Sequence, residues 1–170
     1  MRLFKKKPKP VPFDVDLLLP GDAILYLPTS FFGYGIAIKT FTWRSHVEVY
    51  IGDKLSIASR DGVGVGEYKL RETDIGTVLR PTQEMNFKEG LRYFDSVEGE
   101  KYDMRAIMCF LMLARSGEGK RQICSEFATN FYRKCGLTPF HEEWPADRTP
   151  PSYFLASPNF KVIWKKGEYF

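Results

Sequence analysis

The stretch Ser45-His46-Val47-Glu48-Val49-Tyr50-Ile51-Gly52-Asp53-Lys54-Leu55-Ser56-Ile57-Ala58-Ser59 decides the fold. Val47, Val49 and Ile51 alternate with His46, Glu48 and Tyr50, the period of two that sends alternate side chains to opposite faces of a strand. Gly52-Asp53-Lys54 then turns the chain, so Leu55–Ser59 is expected to return as an antiparallel partner. Upstream, the turn Pro20-Gly21-Asp22 precedes a strand over Ala23–Leu27, and downstream two more short strands are expected at Val63–Tyr68 and Thr77–Arg80. The intervening Ser30–Thr42 is aromatic and contains Gly33 and Gly35; its second half, Gly35–Thr42, is expected to form a short helix.

The period then changes. Asn86–Val97 carries Phe87, Leu91 and Phe94 at helical spacing, Asp103–Ala114 is expected as a denser helix capped by Asp103, and Ile123–Cys135 as a third, ended by Gly136. A mainly basic loop, Arg115–Arg121, separates the last two. After Thr149-Pro150-Pro151 a closing strand is expected at Phe160–Trp164. Strands first and helices second define an α+β class, a small antiparallel sheet packed against helices.

A chain of 170 residues corresponds to one domain, here expected over 14–170, preceded by a basic, flexible leader over 1–13. With 44% hydrophobic and 27% charged residues the composition excludes the disordered and fibrous classes. The longest apolar run, Ala106–Ala114, is far shorter than a membrane span. The leader holds Arg2, Lys5, Lys6, Lys7 and Lys9; without them 20 basic face 21 acidic residues, so the net charge of +4 falls to −1 for the remainder. Such a leader serves as a solubilising tail or makes weak contact with an anionic surface. Phe4 and the aromatic run Phe31-Phe32-Gly33-Tyr34 raise peripheral lipid binding as a further option, and no specific nucleic-acid partner is expected. Because no apolar stretch follows the leader as in a signal peptide, the expected location is cytoplasmic, or virion or host cytoplasm for a phage protein.

Cys109, Cys124 and Cys135 form no CxxC pair, and only His46 and His141 accompany them, so neither a structural metal nor a cofactor is expected. On one helix Cys124 and Cys135 would stand about 16 Å apart, too far for a disulfide. Cys124 opens its helix, where backbone N–H groups favour a thiolate. It shares a stripe with Ala128, Phe131 and Cys135 and so faces the sheet, either as a nucleophile or as one more small buried hydrophobe. A nucleophilic thiol needs a base. His46 sits on a regular strand and supplies it, whereas His141 lies in the loop Phe140-His141-Glu142-Glu143. Glu48, two residues on and on the same strand face, either orients the imidazole or is a solvated strand residue. Ser56, Ser59 and Asp61 are weaker orienters, and Arg115, Lys120 and Arg121 are candidates to bias the field at Cys124 or to hold an anionic substrate.

Taken in order, these segments resemble the circularly permuted papain-like hydrolases of the NlpC type, a group that includes YiiX-like bacterial proteins and lecithin:retinol acyltransferase relatives. Pro20-Gly21-Asp22-Ala23-Ile24-Leu25 resembles the group's opening strand, and Ser45–Asp53 its histidine strand. Tyr102-Asp103 is similar to the start of its penultimate helix, Cys124-Ser125-Glu126-Phe127 through Gly136-Leu137 to its cysteine helix, and Thr149-Pro150 with Ser157-Pro158 to its ending. The resemblance implies a permuted papain-like fold and a cysteine hydrolase or acyl transferase. In it Cys124 attacks a carbonyl, His46 relays the proton, the Cys124 N–H serves the oxyanion, and a covalent acyl-enzyme forms. Peptide, peptidoglycan-type and lipid-linked acyl substrates all remain open. One departure stands out: where relatives carry a polar third residue on the returning strand this chain has Ala58, while Glu48 stands where many have glycine. Glu48 is the candidate to take over the orienting role; the alternative is a catalytically silent binding or virion-associated module that keeps the fold.

Overall fold

The computed structural model describes residues 11–103, 121–141 and 144–167. Its centre is a six-stranded antiparallel sheet built from β1 (Ala23–Tyr26), β2 (His46–Gly52), β3 (Leu55–Arg60), β4 (Gly64–Lys69), β5 (Ile75–Pro81) and β8 (Phe160–Lys165), in the spatial order β4-β3-β2-β1-β5-β8. Helix α1 (Phe31–Thr40) joins β1 to β2, α2 (Phe87–Val97) follows β5, and α3 (Cys124–Lys134) precedes the chain's return to β8. A two-stranded parallel pair, β6 (Lys101–Tyr102) with β7 (Arg121–Gln122), leads into α3. The architecture is α+β, as the sequence implies.

Both faces of the sheet are covered, each by a different set of alternate residues. Val47, Val49, Leu25 and Ile57 meet Phe127, Phe131 and Tyr132 of α3 and Phe94 of α2 in the main core. Ile24, Tyr26, Tyr50, Val78 and Trp164 face the other way and are covered by Phe13, Val15 and Leu18. Val11 and Phe13, within the expected leader, both engage Trp164: the Val11 carbonyl accepts from its indole N–H at 3.2 Å, and the Phe13 ring packs edge-on at 5.1 Å.

Two turns hold the strands in register. In Pro20-Gly21-Asp22, Gly21 takes a positive φ of 95° that an L side chain rarely adopts. Asp22, 1% exposed, accepts from the Leu19 N–H and from both Nε and NH2 of Arg80 on β5. At the far end of α3 the Gly136 N–H bonds to the Arg133 carbonyl and the Leu137 N–H to that of Tyr132, so the glycine ends the helix where the sequence places its end.

Several element bounds shift by a residue or two, and two of the changes bear on the site. Helix α1 begins at Phe31 rather than Gly35, because Ser30 Oγ accepts the Gly33 N–H at 3.1 Å and caps the helix a full turn earlier. Strand β3 runs to Arg60 instead of stopping at Ser59. The expected helix Asp103–Ala114, apart from Asp103 itself, lies outside the described residues, as do Cys109, Arg115 and Lys120. Cys124 and Cys135 are both buried and unbridged.

Helix α3 is seated against α2 at Gly90, where a Cβ would run into Cys135 Sγ and the Phe131 ring. Alanine ordinarily favours a helix interior over glycine by about 1 kcal/mol. Here Gly90→Ala should instead destabilise by about 1–3 kcal/mol, as overpacking does. Chemical denaturation checks this, and a stabilised variant would contradict the close approach of the two helices.

Candidate active site

His46 opens β2, opposite Tyr26 on β1. The residues just before it are tied down: Arg44 donates from Nε to Thr77 Oγ1 at 2.8 Å and from NH2 to the Gly76 carbonyl at 2.7 Å, while the Ser45 N–H donates to the Tyr26 carbonyl at 3.1 Å. The imidazole therefore enters the strand from an anchored segment. Its Nε2 lies 2.9 Å from Glu48 Oε1.

Glu48 is fully buried, which without compensation would drive its carboxyl neutral. Burial does push its pKa upward, but hydrogen bonds and charges from His46 and Arg60 outweigh it and hold the group ionised, well below the usual carboxylate range. Arg60 approaches in fork geometry, Nε to Oε1 at 2.7 Å and NH2 to Oε2 at 3.0 Å. Ser56 Oγ donates to Oε2 at 2.5 Å, and Arg71 NH2 stands 3.6 Å from Oε1. The two guanidiniums are themselves stacked, Arg60 over the Tyr68 ring at 4.2 Å and Arg71 over the Tyr26 ring at 4.4 Å. The solvated reading of Glu48 is thereby overturned.

The sheet register explains the position of Ala58. Val49 pairs with Ile57 and Tyr50 with Ser56; continuing that register sets Ala58 across from Glu48, with Ser56 and Arg60 on either side of it. A small residue at 58 leaves room for the Glu48 carboxylate and the Arg60 fork.

Cys124 is the first residue of α3, and its side chain is 1% exposed. It lies close enough to His46 for its sulfur to act on the protonation of the imidazole. Burial alone lowers the imidazole pKa; the Cys124 sulfur first, and Glu48 after it, reverse that and raise it to about 9. With Nε2 turned to Glu48, the other ring nitrogen is the one left for the thiol. Ile123 holds the N-cap position of α3, and its side chain accepts no hydrogen bond, so it does not compete for the N–H groups of the first turn. These N–H groups sit at the positive end of the helix beside the sulfur.

Thus Cys124, His46 and Glu48, read from three separate positions in the sequence, converge. Ser56 orients Glu48 rather than the imidazole; Ser59 turns the other way and donates to the Gln122 carbonyl at 2.6 Å. Asp61 lines the adjoining cleft, and His141 lies at a separate groove. The side chain of Arg121 lies outside the described residues. Sequence reasoning missed Arg60, Arg71 and Tyr102. Arg60 continues the alternation Ser56, Ala58, Arg60 and was within reach of a strand one residue longer; Arg71 lies beyond β4 and gives no local signal.

A cleft of about 260 Å³ adjoins the imidazole, lined by Ser45, His46, Arg60, Asp61, Arg71 and Tyr102 and closed on one side by α1 through Ser30, Gly33 and Ile36. Cys124 does not line it. Burial, with a smaller contribution from neighbouring Cys124, keeps the Tyr102 phenol protonated.

No protein-family model matches the chain, and no curated protein matches it. Among solved structures the chain is similar to the metalloprotein YiiX from Escherichia coli O157:H7, a DUF1105 protein, with a TM-score of 0.64 and 16% identity over 86% of this chain and 97% of that one. The likeness is one of fold, YiiX-like and α+β. Among the described residues of this chain no three His, Cys, Asp or Glu side chains form a metal-holding group. Glu48, the carboxylate bonded to His46 among the described residues, has both oxygens engaged by Ser56, Arg60 and the imidazole. These donors do not fit a cation.

The shifted imidazole sets a pH dependence. A histidine whose folded pKa is raised from 6.5 to about 9 contributes stability that is complete below pH 6.5 and is lost as the pH rises through 9. Glu48, shifted downward, contributes stability present above its ordinary pKa of 4.5 and lost on acidification. Thermal unfolding of the native chain should therefore show Tm falling between pH 6.5 and 9, and that slope should vanish in His46→Ala. Glu48→Gln should destabilise by roughly 2–4 kcal/mol at neutral pH, since it strands Arg60 and Arg71. A flat profile in the native chain would contradict the pairing.

Proposed function

We propose that this chain is a cysteine hydrolase or acyl transferase that cleaves an amide or ester bond through a covalent acyl-enzyme, built on a permuted papain-like domain of the NlpC type. The observation that carries the reading is the chain of contacts Cys124–His46–Glu48, with the carboxylate buried and doubly held by Arg60. A thiol that is only a buried hydrophobe needs no imidazole, and an imidazole that is only structural needs no ionised, buried carboxylate behind it. The YiiX-like fold and the order histidine strand before cysteine helix support the same reading.

The chemistry balances with these groups alone. Sulfur attacks the carbonyl carbon with the thiol's proton already held on His46, and the negative charge that develops on oxygen falls at the α3 N-terminus, where the Cys124 N–H is the natural donor. The C–N or C–O bond breaks as His46 returns the proton to the departing amine or alcohol, leaving a thioester. Water, or another nucleophile in the transferase case, then attacks the thioester with His46 again accepting its proton, and the C–S bond breaks to regenerate the thiol. Glu48 holds the ring and balances the imidazolium, the part a polar residue at position 58 would play in relatives. Because Cys124 is 1% exposed, substrate access to sulfur requires side-chain movement at the cleft wall. Peptide, peptidoglycan-type and acyl substrates all remain open, since the cleft combines polar and apolar walls.

Labelling with a thiol-directed acylating probe near neutral pH tests the proposal. Cys124 should react, His46→Ala should slow the reaction by about 100-fold or more, and Cys124→Ala should abolish it. Labelling of Cys124 that is unchanged in His46→Ala would favour the silent binding module instead.

A further inference from the structure

Two guanidiniums approach the Glu48 carboxylate, and they are spent on it very differently. Arg60 gives Nε to Oε1 at 2.7 Å and NH2 to Oε2 at 3.0 Å, with a further bond from NH2 to the Lys69 carbonyl at 3.0 Å. Arg71 stands 3.6 Å from Oε1, outside hydrogen-bond distance. Among the described residues its guanidinium donates no hydrogen bond, and its Nε is both shielded from solvent and unpartnered. Stacking holds it instead, 4.4 Å from the centre of the Tyr26 ring. The backbone on either side is tied as well: the Leu70 N–H donates to the Lys54 carbonyl at 3.0 Å, and the Asp74 N–H to the Arg71 carbonyl at 2.9 Å. The Arg71 side chain is 34% exposed and lines the cleft beside His46. A guanidinium fixed by an aromatic face, with its donors unspent, is prepared for a planar anion that the fold itself does not supply.

We infer that the substrate carries a free carboxylate, which Arg71 takes in this cleft while the scissile carbonyl lies at Cys124. The inference rests on the proposed hydrolase chemistry and names the class of substrate for that same site. Charge selects a monoanion. Arg60 balances Glu48, and the proton shared by Cys124 and His46 leaves that pair neutral overall, so Arg71 is the guanidinium whose charge is not already met. Asp61, the other carboxylate on the cleft wall, is exposed and makes no ion pair with Arg71 among the described residues. One carboxylate neutralises one guanidinium, whereas a phosphate dianion would leave negative charge beside Glu48 and the sulfur. Position limits the substrate too. Arg71 NH2 and His46 Nε2 approach the same oxygen, Glu48 Oε1, at 3.6 and 2.9 Å, so a short linker is enough to join the bound carboxylate to the reacting carbonyl. Ser30 and Ser45 add hydroxyl donors to the same cleft.

Mono-p-nitrophenyl esters of the straight-chain dicarboxylic acids from glutaric to suberic test the inference, each compared with the ester whose free carboxyl is capped by methylation. At pH 7 the free carboxylate is ionised. Acylation of Cys124 in the native chain, read by released p-nitrophenol and by the mass of the chain, should be about tenfold or more faster for the free acid at the best chain length. High salt should shrink that preference. In Arg71→Lys and Arg71→Gln the ratio of the two rates should fall toward one; a ratio cancels losses common to both probes, which is all that a merely structural Arg71 would produce. Adipamic acid gives an arm that needs no chemistry: calorimetry should find it bound to Cys124→Ala, and binding should be lost when Arg71→Gln is added. A ratio near one at every chain length, or a preference that survives both Arg71 variants, overturns the carboxylate site and leaves the hydrolase reading standing. Adipamic acid held through Arg71 in a chain that neither ester acylates keeps the carboxylate site and removes the hydrolase reading. Neither acylation nor binding overturns both.

Discussion

A fully buried carboxylate sits at the centre of this protein, and the surrounding structure is arranged to keep it charged. Glu48 has an imidazole on one side and the Arg60 fork on the other, with a serine hydroxyl beneath and a second guanidinium at the margin. An ionised carboxylate in an apolar sheet interior is costly unless every oxygen is engaged by charge or hydrogen bonds. Satisfying it fixes the neighbours: β3 must extend to Arg60, position 58 must stay small, and the chain after β4 must bring Arg71 back across the Tyr26 ring. The same carboxylate fixes the ring of His46 and favours its protonated form. The sulfur at the head of α3 then completes a line of contacts running from solvent-facing arginines to the core.

The fold delivers these groups by rigid means. Arg44 straps the segment before His46 to β5, and Asp22 with Arg80 locks the turn before β1 to the same strand. Helix α3 reaches its place through the Tyr132 hydroxyl, which donates to the Gly21 carbonyl at 3.0 Å, and through the close seat against Gly90. Histidine and cysteine thus come from elements fixed independently to one sheet. Sites built on strands and helices hold geometry better than sites built on loops.

Much of this was legible in the sequence because it is written in period and position. Alternation over His46–Ile51 identified the strand and its two faces, and the stripe Cys124, Ala128, Phe131, Cys135 turned the thiol inward. Those two patterns name Cys124 and His46; that they meet depends on His46 standing at the very start of β2, where the alternation no longer separates the two faces. The reading fell short where a contact depends on register between strands or on a distant segment. Arg60 was lost to a strand boundary placed one residue early, and the start of α1 was lost because a serine cap outweighed the glycines that seemed to delay it. Arg71 meets Glu48 only through the path of β4 and the turn after it. Whether Glu48 is solvated or buried is decided by Ser56 and Arg60 from β3 and by Arg71 from beyond β4, which close over it. No local pattern around Glu48 contains that information.

The protonation of one ring tests the account most directly. Nitrogen NMR of histidine-labelled protein across pH should find His46 carrying protons on both nitrogens at pH 8, with a midpoint near 9, and that midpoint should drop in Cys124→Ala. An imidazole that titrates at the value of a free histidine, or that is indifferent to loss of the sulfur, would contradict it.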